Sequence, residues 1–182
     1  KEDLYPGEYV VQIGKKIIQT NKDEKFDDFD KSFELLKRES LMHSMNLIKS
    51  DLKKLGIEHD NFFSETHLIE NKLVEKAVNH LRKKNYVQEG YLEPPKGETD
   101  KTWKKTKRLI FKSTLFGDDR DRAMKKDDGS WTYFANDVGY HMDKVNRNYE
   151  YLINVLGADH TGYTKRITAA VNALSENKVK LN

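Results

Sequence analysis

The apolar residues of this chain recur mostly three and four positions apart, in runs separated by turn-forming residues. Val10, Ile13, Ile17 and Ile18 form a rough row that predicts a short amphipathic helix over Glu8–Thr20. Phe26, Phe29, Phe33 and Leu36, followed by Leu41, Met45, Ile48, Leu52 and Leu55, predict a long helix or a helix pair. The stripe shifts between Leu36 and Leu41, which predicts a bend or break near Ser40. Its simplest use is core packing, because no heptad holds one register as a coiled coil needs. Gly56 stands where a helix C′ residue of positive φ belongs. A turn then leads into a short strand near Phe62 and Phe63, with Ser64 or Thr66 available as a cap. Val74, Ala77, Val78 and Leu81 predict a further helix ending near Asn85, its last turn carrying Lys83 and Lys84.

Beyond it the pattern turns strand-like. Tyr86-Val87-Gln88 reads as a strand before Gly90, and Pro94-Pro95-Lys96-Gly97 as a loop. The change in composition between Pro94 and Lys101 predicts the domain boundary. The stretch from Thr102 to Phe116 interleaves Trp103 with Lys104, Lys105, Lys107, Arg108 and Lys112. It suits a solvated strand edge, or less readily a phosphate backbone. The charged run Gly117 to Arg122 can form local ion pairs or position a ligand. Asp127-Asp128-Gly129 predicts a hairpin turn flanked by Ala123-Met124 and Trp131-Thr132. Phe134, Val138, Met142 and Val145 predict a helix over Tyr133–Val145, and Ala135 and Gly139 leave room for a neighbouring element. Tyr151 to Leu156 is a mostly apolar run that predicts a parallel strand covered on both faces. The turn Gly157-Ala158-Asp159-His160 and a helix burying Ile167, Ala170, Val171 and Leu174 follow.

Composition narrows the picture modestly. Apolar residues make up 36% and charged residues 35% of 182, and the aromatic content is that of a chain with a core. A net charge of +3 does not by itself indicate nucleic acid. There is no cysteine, which excludes a disulfide frame and a thiolate metal site and fits a reducing compartment. No apolar run reaches the roughly 20 residues of a membrane span. The chain begins at Lys1 rather than Met, which fits a piece of a longer protein.

The candidate chemistry lies between Trp131 and Tyr163. A strand, a turn and a helix in succession form the crevice where open α/β sheets bind ligands. Tyr133 and Asp137 are one helical turn apart, so a phenol and a carboxylate can face one pocket. A carboxylate is a natural receptor for a guanidinium or ammonium. Gly157 lets a backbone pass near a ligand, Asp159 can accept from ribose hydroxyls, and His160 can donate, accept or stack. A metal-dependent hydrolase built on His141, Asp143, Asp159 and His160 is the weaker reading. His141 and Asp143 diverge by roughly 200° on a regular helix. No metal site is assigned.

The run LFGDDRDRAMKKDDGSWTYFANDVGYHMDKVNRNYEYLINVLGADHTGYTKRITAA resembles the second half of the catalytic domain of bacterial-type arginyl-tRNA synthetases. LKKLGIEHDNFFSET and YVQEGYLEPPKGE are similar to that family's insertion between the halves of its nucleotide-binding fold. The resemblance implies an α/β class I aminoacyl-tRNA synthetase fragment. Residues 1–100 would be a helix-rich, connective-peptide-like insertion with short strands. Residues 101–182 would be the second half of a Rossmann-like parallel-sheet nucleotide-binding fold. It implies arginine, ATP and tRNA(Arg) as partners, with Mg²⁺ serving the whole enzyme at no site identifiable here, and a cytoplasmic location. Tyr133 and Asp137 match the positions that receive the arginine side chain. Gly157, Asp159 and His160 match the turn that meets the adenosine of ATP. No HxGH sequence and no KMSKS-like loop occurs in the 182 residues, so no catalytic residue is assigned. The expectation is an internal fragment, inactive alone, that needs N-terminal and C-terminal parts of the same protein. The competing reading is a non-catalytic RNA- or protein-binding module using the helices and the basic Thr102 to Lys112 strip.

Overall fold

The computed structural model describes residues 7–93 and 106–182, which form two compact units, Lys1–Phe62 and Phe63–Asn182. The first unit is a helix pair. Helix α1 spans Glu8–Thr20 and buries Ile13 and Ile17, while Val10 and Ile18 face solvent. Helix α2 runs unbroken over Phe29–Lys54, with the Asp28 side chain accepting from the Lys31 amide at its start. No bend occurs at Ser40. The stripe expected to be core is largely exposed. Phe29, Leu41, Ile48 and Leu55 all face solvent, so no packing surface forces a kink where the stripe shifts. Gly56 takes φ 74° and donates to the Lys53 carbonyl, while Ile57 donates to that of Leu52. This is the paired closure that a glycine C′ allows.

The second unit carries the hydrophobic core. It comprises α3 (Glu65–Glu70), α4 (Leu73–Lys83), β1 (Val87–Tyr91), β2 (Lys107–Phe111), β3 (Arg122–Ala123), α5 (Tyr133–Val145), β4 (Tyr151–Leu152), α6 (Thr164–Ser175) and β5 (Lys180–Leu181). Short 3₁₀ segments cover Ser113–Phe116 and Ala158–Tyr163. The periodic positions Val74, Ala77, Val78 and Leu81 are all buried. They meet Leu109 and Phe111 of β2, Phe134 and Val138 of α5, and Ile167 and Leu174 of α6 in one cluster. Each fully buried aliphatic side chain there contributes about 1.5–3 kcal/mol.

Strands β1, β2 and β3 form an antiparallel sheet with β2 in the centre, Val87 opposite Phe111 and Ile110 opposite Ala123. The described part of the basic stretch, Lys107–Phe111, is therefore an inner strand and not an edge. Its acids lie nearby, Glu89 facing Lys107 at 3.6 Å and Asp127 facing Arg108 at 2.7 Å. Trp103 and the expected Pro94–Lys101 boundary lie outside the described residues. The Asp127-Asp128-Gly129 turn closes as expected. Lys125 bridges Trp131, Lys126 donates to the Ser130 carbonyl, and Gly129 takes φ 82°.

The parallel sheet is shorter than the sequence suggests. Only Tyr151–Leu152 pairs in parallel, with Lys180–Leu181, and the ladder is prolonged by Asn154 donating to the Asn182 carbonyl. Ile153 and Val155 are 75% and 95% exposed, so the expected strand over Tyr151 to Leu156, covered on both faces, is not formed. The physical reason is local. Among the described residues β4 has one neighbour, itself two residues long, and nothing hydrogen-bonds to the far edge of 153–156.

Gly139 fixes how closely α4 and α5 approach. A β-carbon there would lie 3.1 Å from the backbone N and Cα of Val74. Gly139→Val is expected to cost about 1–3 kcal/mol through overpacking, read as a lower urea midpoint of the chain. An unchanged midpoint would mean that the helices are free to separate.

Candidate active site

The site is built where α5 faces the segment leading into α6. Thr132 caps α5 by accepting from the Ala135 amide at 3.1 Å. That cap starts the helix at Tyr133 and sets Asp137 one turn further along. Phe134 and Val138 hold the opposite face in the core. Asp137 is half-buried, and its Oδ2 accepts a hydrogen bond from the Tyr163 hydroxyl. Tyr133 is 80% exposed and lies under Lys126, whose Nζ is 5.5 Å from the ring centre. No hydrogen bond joins Tyr133 to Asp137 among the described residues; the Asp137 carboxylate accepts from Tyr163 instead.

The turn after β4 carries the other predicted residues. Gly157 has φ −63° and ψ 153°, an ordinary extended conformation. Its missing side chain makes room for the Asp159 carboxylate, whose Oδ1 lies 2.5 Å from where a β-carbon would be. Asp159 and His160 are exposed, with His160 Nε2 3.5 Å from Asp159 Oδ2. The His160 amide donates to the Gly157 carbonyl at 2.9 Å, which closes the turn. The His160 ring meets Tyr163 edge-on, with centres 6.4 Å apart.

Tyr163 is the residue that the sequence reading missed. It ends the 3₁₀ segment that holds Asp159 and His160, and its hydroxyl reaches Asp137, so it ties the two halves of the candidate site together. The Arg166 guanidinium sits 4.9 Å from the centre of its ring. Burial, then the Asp137 carboxylate, raise the Tyr163 pKa well above its ordinary value. The phenol is therefore a donor at any physiological pH. A tyrosine three positions after a candidate histidine was the available signal.

A second network supports α5 from behind. His141 is buried, with Nδ1 2.8 Å from the Asp137 carbonyl and Nε2 2.9 Å from Asn154 Nδ2. The carbonyl requires a proton on Nδ1, so Nε2 accepts from the amide. Asn154 Oδ1 in turn accepts from Lys144 Nζ at 2.8 Å. Both ring nitrogens of His141 are thereby engaged within the protein. Asn154, the lone polar residue in an apolar run, was the legible sign of this network.

Burial lowers the His141 pKa below its ordinary 6.5. The unfolded chain therefore takes up that proton first as pH falls. The His141 contribution to stability is complete above about pH 6.5 and is lost as pH falls below it, towards the folded-state pKa. Urea midpoints between pH 8 and pH 5 are expected to decline more steeply for the native chain than for His141→Gln. Parallel profiles would contradict this.

The charged turn before β3 forms internal ion pairs. Arg122 Nε and Nη2 each contact the Asp118 carboxylate at 2.7 Å, and Nη2 also contacts Asp119. Burial pushes the Asp118 carboxyl up. The Arg122 guanidinium and the Asp119 amide outweigh that and hold it well below the usual carboxylate range. No group of three or more His, Asp, Glu or Cys is placed to hold a metal ion among the described residues. Nor is any helix among them long and apolar enough to cross a membrane.

No family model matches the chain. Its fold is similar to a provisionally assigned arginyl-tRNA synthetase from Campylobacter jejuni, with a TM-score of 0.75 and 27% identity over 100% of this chain and 36% of that one. The protein class is thus that of an aminoacyl-tRNA synthetase segment. The curated relatives narrow the class. The chain is 54% identical over 179 residues to the arginine–tRNA ligase of Pelagibacter ubique. It is 48% identical over 180 residues to that of Ehrlichia chaffeensis and 45% over 184 to that of Jannaschia sp.. These alignments cover 98%, 98% and 100% of this chain but 31%, 31% and 32% of the relatives, so the chain spans about a third of their length. The chain belongs to the arginine–tRNA ligase family, as a segment of it.

Proposed function

We infer that the whole protein activates arginine with ATP, forming arginyl-adenylate and pyrophosphate, and then transfers the arginyl group to tRNA(Arg). In this reading the chain contributes one wall of the active site. Asp137 receives the guanidinium of the substrate and Tyr133 walls the same side. Gly157, Asp159 and His160 meet the adenosine. The observation that carries the reading is Asp137 itself, a half-buried carboxylate on α5, held by a donor from the segment carrying Asp159 and His160. A carboxylate offers about four acceptor sites, and Tyr163 takes one of them, leaving room for a forked guanidinium.

The adenylation step needs no nucleophile from the protein. The arginine carboxylate attacks the α-phosphate of ATP, the new C–O–P linkage forms and pyrophosphate leaves. The enzyme holds the two reactants in register and stabilises the developing charge. Residues of this chain would orient the arginine side chain and the adenosine. The groups that meet the phosphates, and Mg²⁺ with them, are assigned to other parts of the whole enzyme. The 182 residues alone are accordingly expected not to charge tRNA, and a cytoplasmic location follows from the role.

Residues 1–100 are proposed as the helix-rich insertion and 101–182 as the second half of a Rossmann-like domain. The parallel pair β4–β5 would be this chain's share of its sheet. The RNA-binding alternative is disfavoured by the acids that face Lys107 and Arg108. The test is arginine and ATP titration of the full-length enzyme carrying Asp137→Ala. Loss confined to arginine supports the reading; equal loss of both, with unfolding, would reduce Asp137 to a structural residue.

A further inference from the structure

Tyr163 lies at a junction that the assignment of Asp137 and His160 does not explain. Its hydroxyl donates to Asp137 Oδ2, while its ring is bracketed by the Arg166 guanidinium at 4.9 Å and by the edge of His160 at 6.4 Å. Two side chains from two consecutive elements thus fix one phenol, and the phenol fixes one carboxylate on a third. An unpartnered carboxylate rotates about its terminal torsion, which is broad and roughly two-fold. Forked recognition of a guanidinium needs both oxygens in one plane.

We propose that Tyr163 is the positioning residue of the arginine subsite, holding the Asp137 carboxylate in the plane that accepts the substrate's guanidinium and tying that plane to the adenosine-side turn. This deepens the reading of Asp137 as the arginine receptor and rests on it. One acceptor site of Oδ2 is used by the phenol, so Oδ1 and the remaining site of Oδ2 are left to the substrate. Since Tyr163 closes the segment that holds Asp159 and His160, occupation of the adenosine side also bears on the carboxylate. The phenol stays protonated across the working range, because burial and the neighbouring carboxylate both oppose its ionisation.

The experiment compares Tyr163→Phe, Asp137→Asn and the double variant in the full-length enzyme. Arginine and ATP affinities are measured by calorimetry and thermal midpoints by melting. Tyr163→Phe keeps the ring and its contacts and removes only the donor. It is expected to weaken arginine binding about tenfold, the order of one hydrogen bond to a charged group. ATP affinity and the melting midpoint should stay close to native. In the double variant the two losses should fail to multiply, because both act through the same carboxylate. Arginine affinity within twofold of native in Tyr163→Phe, with Asp137→Asn strongly impaired, would overturn the positioning role and leave Asp137 as the receptor. Equal weakening of arginine and ATP with a lowered midpoint would also overturn it, making Tyr163 a packing residue. If Asp137→Asn binds arginine as the native enzyme does, the subsite assignment itself falls, and the proposal with it.

Discussion

Asp137→Ala in the full-length enzyme is expected to lower arginine affinity by roughly 30- to 1,000-fold, with ATP affinity changed by less than about threefold. Removing one partner of a desolvated charge pair costs about 2–5 kcal/mol, much of it from leaving the other charge without its partner. Asp137 is half-buried and not sealed, which favours the lower part of that span. The ATP arm makes the experiment specific. Asp137 lies on α5, whereas Asp159 and His160 lie on the segment before α6. A change confined to the α5 carboxylate leaves the adenosine side in place, provided the fold survives. The core face of α5 is carried by Phe134, Ala135 and Val138, so the packing of that helix does not depend on Asp137. Activation kinetics should follow binding, with the arginine KM rising more than kcat falls, since a side-chain receptor acts in ground and transition states alike.

The second large effect concerns the fold. Arg122→Met is expected to destabilise the chain by on the order of 3 kcal/mol, read as a shift in urea unfolding. The side chain of Asp118 is 0% exposed and that of Arg122 10%. Without the guanidinium, Asp118 would be a buried carboxylate held by the Asp119 amide at 2.8 Å and the Ser113 side chain. Removing one member of such a pair costs far more than replacing both. Asp118→Leu combined with Arg122→Met should therefore recover much of the loss. A single Arg122→Met variant as stable as the native chain would show that the pair contributes nothing, as holds for many exposed pairs.

Much of the local structure was legible in the spacing of residues. Helices α1, α4, α5 and α6 follow from apolar positions three and four apart, and the hairpin follows from Asp127-Asp128-Gly129. The small residues of α5 also carried their meaning, since a β-carbon at Gly139 would lie 3.1 Å from the backbone of Val74 on α4. What could not be read depends on partners distant in sequence. Tyr163 and Asp137 are 26 positions apart, and their bond arises only because α6 packs on α5. β2 looked like an edge because its pairing with β1, which ends at Tyr91, was not legible in the spacing of residues. The run after Tyr151 was read as a buried strand from apolarity alone, yet a strand persists only where hydrogen-bonding neighbours exist. The apolar stripe of α2 was read as core for the same reason, although periodicity predicts a face and not what covers it.

For the candidate site, the residue types were legible and their relations were not. A carboxylate and a phenol one turn apart suggested a single receptor. The structure instead pairs that carboxylate with a different phenol and leaves Tyr133 at the solvent edge. His141, weighed as a metal ligand, spends both nitrogens on Asp137 and Asn154. In the proposed reading Asp137 has the central place, with Tyr163 bonded to it and Tyr133 exposed on the same helix.

The most direct measurement is a crystal structure of the full-length enzyme with L-arginine bound. The account predicts the guanidinium within hydrogen-bonding distance of both Asp137 carboxylate oxygens, with the Tyr163 hydroxyl still donating to Oδ2. A guanidinium bound elsewhere, with Asp137 bonded only to Tyr163, would contradict it.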